Sequence, residues 1–164
     1  LEDPLVADFP FNIALGRAVE FYWRVKNGDP ANSALLVVAL AASGVESDAV
    51  LRDKVSLADV VLGNTNEATN AGYSRKVLLA ADLALYEPDY DNDRVDIDIP
   101  DQTWTAVQAT GGAWSKLLVC YRPAPSSTDA QIIPISAHDF GITPDGSDVV
   151  AQINSLGFYR AAPA

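Results

Sequence analysis

Apolar and polar positions alternate in short stretches along this chain, and turn residues separate the stretches. Val95, Ile97 and Ile99 alternate with Asp96 and Asp98, the cleanest period-two pattern present. That period places the isoleucines on one face of a strand and the aspartates on the other. Leu35 to Leu40 is a continuous apolar run, which reads as a strand buried on both faces. Val19, Phe21, Trp23 and Val25 alternate with Glu20, Tyr22 and Arg24 and predict a further strand, although Asn12 to Phe21 also carries helical spacing. Tyr73–Leu79, Thr103–Val107, Leu117–Tyr121, Ile132–Ile135 and Val149–Ile153 complete the set.

The punctuation between these stretches is frequent. Turn signals stand at Asn27–Pro30, Gly63–Asn66, Pro88–Asn92, Gly111–Gly112, Pro123–Thr128 and Pro144–Gly146. Pro123–Thr128 reads as a long hairpin loop, and Gly111–Gly112 as a hairpin turn. Ser56 caps a short helix from Leu57 to Leu62, with Asp59 three residues on and Gly63 ending it. A second short helix is predicted over Ala80–Leu85. The fold class that follows is all-β. It is a single-domain β-sandwich or barrel-like sandwich of about eight short strands with one or two short helices.

The N-terminal segment differs from the rest. Leu5, Val6, Phe9, Phe11, Ile13 and Leu15 crowd into it, while Pro4 and Pro10 block a long helix. It is expected to be an arm over residues 1–15, ahead of a domain over 16–164. Phe9, Phe11, Ile13 and Leu15 are the assembly contacts, with folding back onto the chain's own domain as the alternative. The sequence contains no methionine, and Leu1–Leu5 reads as a cloning leftover or the product of a cut, with a natural start near Ala7. No signal peptide is visible.

Composition narrows the function classes. One domain of 164 residues buries roughly 70% of its unfolded surface. Net charge is −11, so nucleic acid and anionic membrane are poor partners. The single cysteine, Cys120, lies in an apolar run and reads as a buried small hydrophobe. The single histidine, His138, has no nucleophile elbow around it and reads as structural. Gly111–Gly112 lacks the residues of a phosphate loop. No catalytic or cofactor-binding residue is assigned, and the chain is expected not to be an enzyme. Asp89, Asp91 and Asp93 have the alternating oxygens of a calcium loop. Arg94 stands where that loop needs glycine, and Pro100 where it needs glutamate, so they are weak calcium candidates. Trp23, Trp104 and Trp114 are candidates for a glycan-binding surface. Trp104 is expected in the core and Trp114, beside the glycine pair, on the surface.

Several segments resemble small structural proteins of tailed bacteriophages, many from actinobacterial hosts. They are Arg94–Trp104, Lys116–Tyr121, Ile132–Phe140, Thr143–Asp148 and Gly157–Ala161. Asp29–Leu35, Asn66–Thr69 and Tyr73–Lys76 extend the resemblance over nearly everything after residue 11. Arg122 departs from it where an acidic residue is usual, which counts further against a metal role for the Asp-rich loop. The resemblance implies a virion component, assembled in the bacterial cytoplasm. Its partners are copies of itself and other virion proteins such as the major capsid or tail proteins. It implies a capsid decoration protein on the outer head, or a minor tail or head–tail component. A host-receptor or glycan-binding tail module is the alternative. Net negative charge is repelled by a packaged genome and agrees with an outer position.

Overall fold

The computed structural model describes residues 8–163; Leu1–Ala7, including the segment read as a leftover, lie outside the described residues. Strands in antiparallel sheets dominate, with few helices. The strands are β1 (Phe9–Pro10), β2 (Ala34–Ala41), β3 (Lys76–Leu78), β4 (Val95–Ile97), β5 (Gln102–Trp104), β6 (Trp114–Arg122), β7 (Ile133–Ile142), β8 (Val149–Ala151) and β9 (Tyr159–Ala161). The helices are α1 (Ala18–Asn27), α2 (Asp48–Arg52) and α3 (Leu57–Val60). A five-stranded sheet runs in the order β1-β7-β6-β2-β3, and two ribbons pair β4 with β9 and β5 with β8. The main sheet is open, with β1 and β3 at its edges.

This sheet is buried on both faces, and β2 shows why its sequence is uniformly apolar. Leu35, Val37 and Ala39 face α1 and the two ribbons, in a core shared with Phe21, Ile97, Trp104 and Val149. Leu36, Val38 and Leu40 face the other way, against Leu51 of α2, Leu57 and Val60 of α3, and Phe9 and Phe11. All eight residues of β2 are buried. Ile97 and Ile99 are buried, while Asp96 stays partly exposed and bonds Arg160 across the β4–β9 pair. The Ser56 cap is present, its hydroxyl accepting from the Asp59 N–H at 3.1 Å.

Four expectations are corrected. Val19–Val25 lies within helix α1, not in a strand. Ala18, Phe21, Tyr22 and Val25 are the buried positions, and their spacing is helical. The alternation and the helical pattern share Phe21 and Val25, so packing decides between them. Phe21 stacks on Tyr121 at 4.6 Å, Glu20 pairs with Arg24 one turn on, and Gly28 closes the helix in the left-handed conformation. Ala80–Leu85 forms only a three-residue 3-10 turn, Ala80–Asp82. Gly111–Gly112 connects β5 to β6, which belong to different sheets, so it is not a hairpin turn. It wraps Asn70 instead: a Cβ on Gly111 would meet the Asn70 backbone at 2.8 Å. Finally, Phe9 and Phe11 are core residues of this domain and not free arm contacts. Phe11 is fully buried and its N–H bonds Ile135 O. Ile13 and Leu15 remain exposed.

Candidate functional site

The β6–β7 pair carries two polar clusters, one on each face of the sheet. Ser136 and His138 stand two apart on β7, so their side chains share a face with Leu117 and Val119 of β6. Ser136 Oγ lies 2.8 Å from His138 Nε2, and His138 Nδ1 lies 3.1 Å from Asp8 Oδ2. The second Asp8 oxygen accepts the Asp139 N–H at 2.8 Å. Asp8 reaches this position because β1 pairs Phe9 with Ala137 and Pro10 with Ser136. Beside His138 opens a cavity of about 280 Å³, floored by Val37, Leu117 and Val119 and walled by Ile99 and Phe158.

The connectivity is that of a serine–histidine–aspartate relay. Two features needed for acyl transfer are missing at Ser136. The residue is only 2% exposed. The backbone facing it is Pro10, which has no N–H to offer a developing oxyanion. What the cluster does physically is tie the start of the described chain to β7. Neutral or protonated, the imidazole has a partner at both nitrogens.

The other cluster centres on Lys116. A β-bulge at Ser115 resets the alternation, so Trp114 turns to the face of Leu117 while Lys116 joins the face of Leu118. The Lys116 ammonium lies 2.5 Å from Asp139 Oδ1 and 2.9 Å from Asp48 Oδ1. Asp139 is its cross-strand neighbour, and Asp48 opens α2. The Phe9 ring lies 5.6 Å from the ammonium. Burial pulls the Lys116 pKa down, but the hydrogen bonds that its ammonium donates to Asp139 and Asp48 outweigh it and hold the group above the ordinary lysine value. A third network joins Arg75 to both Glu67 and Asp129 by paired contacts. The Arg75 hydrogen bond holds the Asp129 carboxyl below its ordinary value.

The remaining sequence candidates are placed as follows. Trp114 is 1% exposed, contrary to the expected surface position. Its indole N–H donates to Asn70 Oδ1 at 2.8 Å, and its ring meets Trp104 edge-on at 5.3 Å. Trp104 is core as expected, and Trp23 is exposed on α1. Asp89 spends its carboxylate on the Asn92 backbone and side-chain amides and faces Arg94. Asp91 and Asp93 point to solvent. Among the described residues no group of three acidic, histidine or cysteine side chains is placed to hold a metal. Cys120 is fully buried, which pushes its thiol pKa up.

Sequence reasoning passed over both clusters. One signal was available for each: Ser136 and His138 at period two, and a lone lysine between Trp114 and an apolar strand. A charge inside such a strand needs a partner. Comparison with known proteins finds no family model, no curated protein and no solved structure that matches this chain.

Proposed function

We propose that this chain is a structural component of a tailed-bacteriophage virion, a decoration protein of the outer head surface or a minor tail or head–tail component. It does not catalyse a reaction. The main sheet with its two covering ribbons is taken as a β-sandwich that presents loops and edges to neighbouring subunits. The observation that carries the reading is the entry segment. Phe9 and Phe11 anchor it inside the core, while Ile13 and Leu15 stand outward at 37% and 53% exposure. The Tyr159 hydroxyl fastens the same segment at Leu15 O. Anchored apolar side chains on an acidic surface suit a subunit contact better than free solution. The Ser136 position, buried and opposite a proline, supports the non-catalytic part. The glycan-binding alternative loses Trp114 to the core.

Cryo-EM of the parent particle tests the reading. Copies ordered on the head or along the tail are expected; a particle with none overturns it. Truncation separates anchor from contact. Removing residues 1–15 is expected to lower the melting temperature steeply, because two buried phenylalanines go with it, each worth about 3–5 kcal/mol. The double substitution of Ile13 and Leu15 by serine is expected to keep the melting point and weaken particle binding.

A further inference from the structure

We propose that Lys116 and Asp139 close an intramolecular amide bond between β6 and β7, with Asp48 as the proton carrier. The inference goes beyond the virion reading and does not depend on it. Three reacting groups are already assembled. The Lys116 nitrogen lies 2.5 Å from Asp139 Oδ1 and 2.9 Å from Asp48 Oδ1. The lysine and the two carboxylates are only 7%, 26% and 15% exposed as side chains. They come from three separate elements, so the contact is fixed by the fold and not by one flexible loop. The Phe9 ring flanks the site with aromatic surface.

The chemistry balances without any further reagent. From the resting ion pair, Asp48 relays one proton from the ammonium to Asp139, and the neutral amine attacks the carbon of the neutral Asp139 carboxyl group. A C–N bond forms and one C–O bond breaks. The departing hydroxyl takes a second proton from the nitrogen, again through Asp48, and leaves as water. Asp48 ends as it began, a carboxylate. Fixed proximity supplies what free lysine and aspartate in water lack, an effective concentration of about 10⁵ M or more for well-oriented groups. A second carboxyl within proton-transfer distance is what a general acid–base step requires. Of the two aspartates, Asp139 is the acyl partner because it is the closer and stands directly opposite Lys116 in the strand register.

Intact mass measurement of the purified protein tests this. The expected mass is one water below that of the sequence. Trypsin is then expected not to cut after Lys116, and fragment ions to link residues 116 and 139. Asp48→Asn and Lys116→Arg are each expected to restore the full mass; the second places between the carboxylates a cation that cannot close the amide. A full sequence mass with a tryptic cut after Lys116 overturns the proposal. So does a water loss that maps to a succinimide at Asp145–Gly146, or one that persists in Lys116→Arg.

Discussion

The two polar clusters on β6 and β7 share neighbouring residues yet sit in opposite circumstances. His138 and Asp139 are adjacent in the chain and point to opposite faces. Asp8 touches both, through the imidazole and through the Asp139 N–H. On the His138 side the groups can all be neutral except an exposed carboxylate, and a cavity lies alongside. On the Lys116 side an ammonium is held out of water between two carboxylates. A neutral relay with each hydrogen bond made loses little when one member goes. A buried charge leaves its partners uncompensated. The same strand pair thus offers a mild tether on one face and a locked contact on the other.

Substitutions at the two centres turn that contrast into numbers. Lys116→Ala is expected to destabilise the domain by about 3–5 kcal/mol, since it strands Asp48 and Asp139 without their cation. Urea denaturation measures it, and a loss no larger than that of His138→Ala would break the comparison. His138→Ala is expected to cost less, about 1–3 kcal/mol, because it leaves the buried Ser136 hydroxyl without its partner. Accelerated hydrogen exchange should then be confined to the β1–β7 edge; exchange spread through β2 would show that the tether supports the whole sheet.

The Arg75 network supplies a smaller, pH-dependent case. Its folded-state Asp129 pKa is depressed below 3.8 by the Arg75 hydrogen bond. The stabilisation is therefore fully present above the unfolded value and is lost as pH falls through the folded one. Partial exposure limits it to under about 1 kcal/mol. Asp129→Asn is expected to lower the melting temperature slightly at neutral pH and to leave it almost unchanged where Asp129 is protonated, so that the acid limb of the profile below pH ~4 flattens. An unchanged acid limb would place the acid sensitivity elsewhere.

What could be read locally was settled locally. The Ile97–Ile99 alternation, the doubly buried β2 run and the Ser56 cap depend on residues a few positions apart, and each formed as its pattern dictates. The loop at Pro123–Thr128 does connect antiparallel neighbours, β6 and β7. Where two local patterns overlapped, the chain alone was silent. Val19–Val25 satisfies both periods in part, and the stacking of Phe21 on Tyr121, a hundred residues away, selected the helix. The glycine pair beside Trp114 points it to the surface, but a bulge and the distant Asn70 turn it inward. His138 and Lys116 were visible as single residues only. Their meaning comes from Asp8 and Asp48, brought in by a strand edge and a helix end. By itself the sequence determined which stretches are apolar, where they stop and how much charge the surface carries, because those follow from neighbours along the chain. Only the tertiary structure decided which buried polar groups meet, because hydrogen bonds and ion pairs act over a few ångströms in space, whatever the separation in sequence.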